Sequence, residues 1–190
     1  ILNDETRPDF ERLVELTRHE NEVLRERAMR SLRYTEPSLL KPELARLVND
    51  ESSRIRRECT VVMRSLPDPT NADLLFILAD DSDEHVRIDA ISTIGGLKDT
   101  DLMTRLLPHL RDEKVHGYAV SALVELGGKE ALPLLMAELE SGNDVGRMIY
   151  QHLRRLTGEN IKKEEPEPWL EWWKKNKPPE VNEKATMIEM

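Results

Sequence analysis

Cysteine and aromatic residues are scarce in this sequence and a net positive charge is lacking, and each of these removes a class of protein. Cys59 is the one cysteine among 190 residues, so no disulfide framework can form within the chain. It falls inside an apolar helical pattern, which favours a buried, inert thiol over a nucleophile. No apolar run approaches the roughly 20 residues that a membrane helix requires, and no N-x-Ser/Thr sequon occurs. The formal net charge is −9. A general polyanion binder would be basic, so nucleic acid is not expected as a partner. Aromatics make up 4% of the chain and β-branched runs are few. Leu, Ala, Glu, Arg and Met dominate instead, which argues helix throughout. The chain begins at Ile1 rather than Met, which admits a second reading, a structural segment of a longer multidomain protein. No compartment is fixed by the sequence, and a cytoplasmic one is the working expectation.

What the sequence does contain is a repeat. With Leu24, Ile55, Val86, Val115 and Val145 as position zero, the spacings are 31, 31, 29 and 30 residues. Four residues on stand Ala28, Cys59, Ala90, Ala119 and Ile149. Eight on stand Leu32, Met63, Ile94, Leu123 and Leu153, and eleven on stand Thr35, Leu66, Leu97, Leu126 and Leu156. Offsets 0, 4, 8 and 11 form one stripe on a helix of 3.6 residues per turn. Thr35 is the sole polar residue in that set of twenty. Small side chains at offset four let a neighbouring helix approach closely. We name these five helices B.

A shorter apolar pattern precedes each B helix, and we name these segments A: Asp9 to Thr17, Leu39 to Val48, Asp73 to Ala79, Asp101 to Leu110 and Glu130 to Leu139. Pro37 and Pro69 stand near A-helix starts, where a missing N–H is harmless. Thr100 and Asn143 are candidate N-caps. Gly127 and Gly158 follow the last apolar residue of a B helix, where a left-handed residue belongs. The unit is a helical hairpin of about 30 residues that cannot bury its apolar faces alone, so hairpins must stack. At offset one stand Arg25, Arg56 and Arg87, then His116 and Gly146.

The stretch DSDEHVRIDAISTIGGL resembles a HEAT repeat of the short, phycobilisome-lyase-like subtype, with its V-R-x-x-A-x-x-x-L-G pattern. The resemblance covers about residues 8–158 as five repeats. It implies an all-α fold, an α–α superhelix of about five helical hairpins, with B helices on the concave side. It also implies a buried ladder of Asp and Arg from successive repeats, here Asp50 and Asp81 with Arg56 and Arg87. His116 and Gly146 depart from the pattern, so the ladder is expected to lapse toward the C-terminus.

After Gly158 the charged, proline-bearing stretch ENIKKEEPEP reads as an extended connector. WLEWWKKN then carries Trp169, Trp172 and Trp173 on one helical face. A similar L-T-G…P…W…W-W ending closes many bacterial HEAT-like proteins. It reads as a cap over the exposed side of the last repeat, with an aromatic ligand platform as the competing reading. The domain division is therefore a solenoid over 1–158, a connector and capping helix over 159–177, and a disordered tail over 178–190.

Catalytic and metal chemistry find little support. HEAT-type deoxyhypusine hydroxylases hold two irons through several His-Glu dipeptides, whereas only His19–Glu20 occurs here. The acidic run from Asp80 to Glu84 lacks the glycine and distal glutamate of a calcium loop, and it suits a helix N-terminus. No Ser-His-Asp, Cys-His or phosphate-loop pattern appears. No metal, no cofactor and no catalytic residue is expected. The subtype resemblance leaves a lyase- or chaperone-like module for a tetrapyrrole or phycobilin protein as an alternative.

The leading expectation is a protein–protein interaction module or scaffold. Offsets two, six and nine lie opposite the core stripe. They place Arg30, Arg33, Arg57, Val61, Arg64, Ile88, Ser92, Ser121, Arg147, Gln151 and Arg154 on the B-helix face, with Tyr118 at its edge. Small or apolar residues hold the middle and arginines the ends, which fits a protein segment that is apolar in its centre and acidic at its ends. The bland reading is that these arginines are solvated and paired with Glu26, Glu58 and similar neighbours.

Overall fold

A computed structural model describes residues 7–34, 37–142, 146–162 and 164–178, with the side chains of 7, 8 and 37–39 outside that description. All regular structure among the described residues is helical. The fold class is that expected, an all-α stack of helical hairpins of the α–α superhelix type. Thr35, Asn143 and Val145 lie outside the described residues, as does the expected tail beyond Pro178. The chain divides into two compact units, Ile1–Leu97 and Lys98–Met190.

The first unit holds three hairpins. Their A helices are α1 (Arg7–Leu16), α3 (Pro37–Leu47) and α5 (Ala72–Ala79), and their B helices are α2 (Glu22–Leu32), α4 (Ser53–Ser65) and α6 (Glu84–Gly95). The B helices stack in order, α2 on α4 and α4 on α6. The small residues at offset four, Ala28, Cys59 and Ala90, are buried at these crossings, with Leu32, Met63 and Ile94 one turn further on. Start signals are local. Asn21 accepts from Val23 N at 2.9 Å and Asp83 from His85 N at 2.9 Å, each satisfying an orphan N–H of the first turn.

An arginine ladder stitches these turns. Arg25 Nη1 donates to the carbonyls of His19 and Glu20 at 3.0 and 2.9 Å, closing its own A–B turn, and Nη2 reaches Asp50 Oδ1 at 2.9 Å. Arg56 repeats the pattern, with the carbonyls of Asp50 and Glu51 at 2.8 and 3.2 Å and Asp81 held through Nε and Nη2 at 2.5 and 2.7 Å. Arg87 Nη1 again bonds two turn carbonyls, Asp81 and Ser82, at 2.8 and 3.2 Å. Arg25 and Arg56 thus each reach forward to the next repeat's aspartate. These two pairs, Arg25–Asp50 and Arg56–Asp81, add Arg25 to the expected set.

The second unit begins with a broken A segment. The single helix expected over Asp101 to Leu110 is instead a 3₁₀ turn at Thr100–Leu102, α7 (Met103–Leu106) and a second 3₁₀ turn at Leu107–Arg111. Pro108 has no N–H to continue the α ladder, and its ring crowds the carbonyl four residues back. The N-cap is Asp99, which accepts from Asp101 N at 3.1 Å, rather than Thr100. α8 (His116–Gly127), α9 (Leu132–Glu140) and α10 (Met148–Thr157) follow, with α8 packed on α10 and α9 on α10. Ala119 and Ile149 are buried as offset-four residues. Gly127 keeps an ordinary φ of −115° and the positive φ, +52°, falls one residue later at Gly128. Gly158 is left-handed as expected, with φ +78°.

At offset one, where the first unit carries arginine, stand His116 and Gly146. His116 Nδ1 is buried without a partner. A Cβ placed on Gly146 would lie 2.3 Å from His116 Nε2, and Gly146 has φ +65°, so only glycine fits there. Finally α11 (Pro166–Asn176) packs on α9 and buries Trp169 and Trp173, the place expected of a capping helix. Trp172 packs edge-on to Trp169, with ring centroids 6.1 Å apart.

Candidate interaction faces of the B helices

In the first unit the face opposite the core is a lattice of arginines over carboxylates. Arg30 Nη2 lies 2.7 Å from Glu26 Oε1 and its Nε 3.2 Å from Glu58 Oε2. Arg54 Nε reaches the other oxygen of Glu26 at 3.4 Å. Arg57 Nε holds Asp89 Oδ2 at 2.5 Å, and Arg64 donates to Thr93 Oγ1 at 3.1 Å and to the Asp89 carbonyl at 3.1 Å. The Asp89 hydrogen bond strengthens Arg57's hold on its proton.

These pairs are not symmetrical. The carboxylate side chains of Glu26, Glu58 and Asp89 are 10%, 8% and 17% exposed, whereas those of Arg30, Arg57 and Arg64 are 57%, 54% and 49% exposed. The acids lie low and the guanidinium forks stand above them. Arg33 lies on this side too, stacked over Tyr34 with its charge 4.7 Å from the ring centroid. Val61, Ile88 and Ser92 are half-buried between the arginines. Gly95, which shares offset nine with Arg33 and Arg64, is buried and does not contribute to the surface.

The acidic members were visible as a pattern. Glu58 and Asp89 both occupy offset three of their repeats, and Glu26 stands four residues before Arg30. An arginine on one B helix and an acid at offset three of the next is the cross-repeat signal that finds them.

In the second unit the corresponding residues are Tyr118, Ser121, Arg147, Gln151 and Arg154. Tyr118 and Met148 are exposed apolar side chains. Val124, at offset nine, is buried. Gly117 faces α10, where an added Cβ would stand at ordinary van der Waals distance, 3.7 Å, from Met148 Cβ. Arg147 and Arg154 each lie 3.6 Å from the Glu164 carboxylate.

Ser121 and His152 form a serine–histidine pair, with Oγ 3.1 Å from Nε2, but its polarity is set against nucleophilic catalysis. Arg155 can only donate, so His152 Nδ1, 3.2 Å away, accepts. Ser121 Oγ gives its single proton to the Gly117 carbonyl at 3.0 Å. His152 Nε2 therefore carries the proton and donates to the serine, the reverse of a base activating a nucleophile. Burial, and then the charge of Arg155, hold His152 below its ordinary pKa and keep it neutral. Cys59 is buried and its thiol is pushed up by that burial, so no thiolate forms at neutral pH. Between α3 and α4 a cavity lined by Leu40, Leu44, Val62, Met63, Leu66, Asp68 and Asn71 encloses about 10 Å³, room for one water and not for a cofactor. Among the described residues no three His, Cys, Asp or Glu side chains converge as metal ligands would, and no helix is long and apolar enough to cross a membrane.

The model of a family described as HEAT repeats matches residues 10–95 and 72–154. No curated protein matches the chain. HEAT repeats generally mediate protein–protein interaction or scaffolding, and the family is generally non-enzymatic. With most of its length inside those two matches and the stacked hairpins they imply, the chain belongs to the HEAT-repeat family.

Proposed function

We propose that this chain is a protein-interaction module that takes an acidic segment of a partner protein, extended or helical, on the B-helix face of its first unit. The asymmetry of the ion pairs carries the reading. Carboxylates that lie low in the surface, Glu26 and Glu58 buried and Asp89 partly so, hold the guanidinium groups of Arg30, Arg57 and Arg64 while leaving about half of each arginine side chain in solvent. A partner carboxylate meets oriented forks whose ordering cost is already met within the fold. Arg33 adds a fourth cation, and the half-buried Val61, Ile88 and Ser92 give an apolar or small middle for the partner's side chains. In the second unit Tyr118, Ser121, Arg147, Gln151 and Arg154 offer a separate face of the same character. The repeat subtype we keep from Val86, Arg87, Ala90, Ile94 and Gly95 is the short, phycobilisome-lyase-like one. It supports a fold and carries no tetrapyrrole chemistry of its own.

The test has two steps. Affinity capture on the immobilised chain with mass spectrometry identifies a partner, which is then purified. Its affinity is measured against the chain and against a triple variant, Arg30→Lys, Arg57→Lys and Arg64→Lys. Lysine keeps the charge over the buried acids and loses the fork. We expect at least about tenfold weaker binding with unchanged far-UV circular dichroism, since a fork lost at an oriented site is not made good by a point charge. Equal affinity for the two proteins refutes the proposed face.

A further inference from the structure

Ile161 and Glu164, in the connector that joins α10 to α11, meet the α10 face that the sequence assigns to a partner. Arg147, Gln151 and Arg154 stand at i, i+4 and i+7, one stripe of the helix. Gly158 turns the chain at φ +78°, and Glu159 N bonds Thr157 Oγ1 at 3.1 Å. The chain then returns toward that stripe. Arg154 Nη1 donates to the carbonyl of Ile161 at 3.2 Å, and its Nη2 lies 3.6 Å from Glu164 Oε1. Arg147 Nε lies 3.6 Å from the other oxygen of the same carboxylate. Pro166 then opens α11. One guanidinium thus reads a backbone carbonyl and a carboxylate three residues later, and a second arginine shares that carboxylate.

These contacts differ from the ladder. Arg25 and Arg56 hold their aspartates at 2.5–2.9 Å in buried surroundings. The Glu164 contacts are longer, Arg147 is largely solvated, and Glu164 is one-third exposed. Ion pairs of that kind are weak. The connector is tethered at both ends, by α10 and by α11 packed on α9, and a tethered group needs little intrinsic affinity to stay in place. It is also acidic where it meets the arginines, with Glu164, Glu165 and Glu167 close together.

We infer that the Arg147–Gln151–Arg154 stripe is a docking site for an extended acidic segment of a partner protein, and that the connector occupies it in cis as a displaceable stand-in. The inference rests on the proposed function and specifies the ligand: an extended backbone whose carbonyl at one residue and carboxylate three residues on reach the same arginine. Removing the stand-in carboxylate frees Arg147 and the Nη2 edge of Arg154 for a segment supplied in trans, while Arg154 Nη1 keeps the Ile161 carbonyl until that segment displaces it.

The probe is a capped synthetic peptide of the connector's own sequence, ENIKKEEPEP, titrated at low salt into the isotopically labelled full chain and followed by backbone amide chemical shifts. With the Glu164→Ala variant we expect saturable shifts centred on Arg147, Gln151 and Arg154. The affinity should be about three- to tenfold above that of the unaltered chain, as expected for loss of a weak competing pair. Adding Arg147→Ala and Arg154→Ala should abolish the gain. Unchanged melting of Glu164→Ala confirms that the fold is intact. An equal response from the unaltered chain and Glu164→Ala overturns the inference, as do shifts that settle on other residues. The Arg30, Arg57 and Arg64 lysine variant separates the two readings. It should bind this peptide normally, so failure of the first-unit face leaves the α10 result standing, and failure of the peptide leaves the first-unit face standing.

Discussion

Replacing Asp81 with alanine should cost about 3 kcal/mol of stability, near the lower end of what breaking one side of a buried ion pair costs. The magnitude follows from what Asp81 does. It accepts two charge-assisted hydrogen bonds from Arg56, at 2.5 and 2.7 Å, and one from Asp83 N at 2.8 Å. The two side chains are 14% and 6% exposed, so alanine strands a guanidinium that is largely out of water. The loss is moderated because Arg56 keeps the carbonyls of Asp50 and Glu51. A domain of ordinary stability has only about 5–15 kcal/mol in total, so urea denaturation followed by helical circular dichroism will register the change as a lower midpoint. An unchanged m-value would show that the same cooperative unit is unfolding. Asp89→Ala, which removes the partner of two half-exposed arginines, should cost about 1 kcal/mol or less. A double exchange, Arg56→Met with Asp81→Leu, should be less damaging than Asp81→Ala alone, because no charge is left buried. There is a pH signature as well. Burial alone would raise the Asp81 pKa, but the Arg56 hydrogen bond and the Asp83 N–H outweigh it and leave it below the ordinary 3.8. Its contribution is therefore complete above about pH 3.8 and is lost as pH falls through the lower folded value. If Asp81→Ala is as mild as Asp89→Ala, the ladder does not hold these repeats together.

Four other outcomes are expected. His152, whose folded pKa lies below its ordinary 6.5, supports the fold fully above that pH and less as pH falls below it; melting curves of His152→Gln should lose less between pH 7 and 5 than those of the unaltered chain. Gly146→Ala should lower the melting temperature more than Gly158→Ala, since both are left-handed but only Gly146 would drive its new Cβ into His116; equal losses would remove that contact from the argument. Ala90→Leu should cost about 1–3 kcal/mol in urea denaturation by overpacking the α4–α6 crossing, and a neutral result would contradict the stacking. Truncation after Gly158 should lower the melting temperature and promote self-association in sedimentation experiments, because the surface of α9 under Trp169 and Trp173 would be bared; an unchanged monomer of unchanged melting temperature would refute the capping role.

The helices and their buried stripe were legible because burial in a helical stack is periodic. A period of 3.6 within each helix and about 30 between hairpins leaves one solution for Ala28, Cys59, Ala90, Ala119 and Ile149. Departures came where one residue overrides the period. Pro108 breaks the fourth A helix into 3₁₀ pieces, Asp99 outcompetes Thr100 for a cap by one position, and Gly128 takes the positive φ expected of Gly127. The ladder was half legible. The resemblance named Asp50 and Asp81 with Arg56 and Arg87 across successive repeats, but left Arg25 out and did not assign partners. The side-chain bonds run from Arg25 to Asp50 and from Arg56 to Asp81, because an arginine is long enough to close its own turn and still reach the next.

Charge was the least legible property, since a sum over the sequence has no depth coordinate. A net charge of −9 sets the long-range field, which opposes a polyanion at low salt and is screened at physiological salt. At contact distance the order of burial matters more. On the first unit's B-helix face Arg30, Arg54, Arg57 and Arg64 pair with Glu26, Glu58 and Asp89, and the acids are the deeper members of the pairs. A ligand within a few ångströms meets guanidinium edges first, while one beyond the screening length of about 8 Å at physiological salt meets little field at all. If the proposed acidic partner binds this surface, encounter should be slow and unsteered and retention should follow contact, so added salt should act mainly on the dissociation rate. That separates it from the electrostatically steered faces of basic proteins, where salt acts first on association.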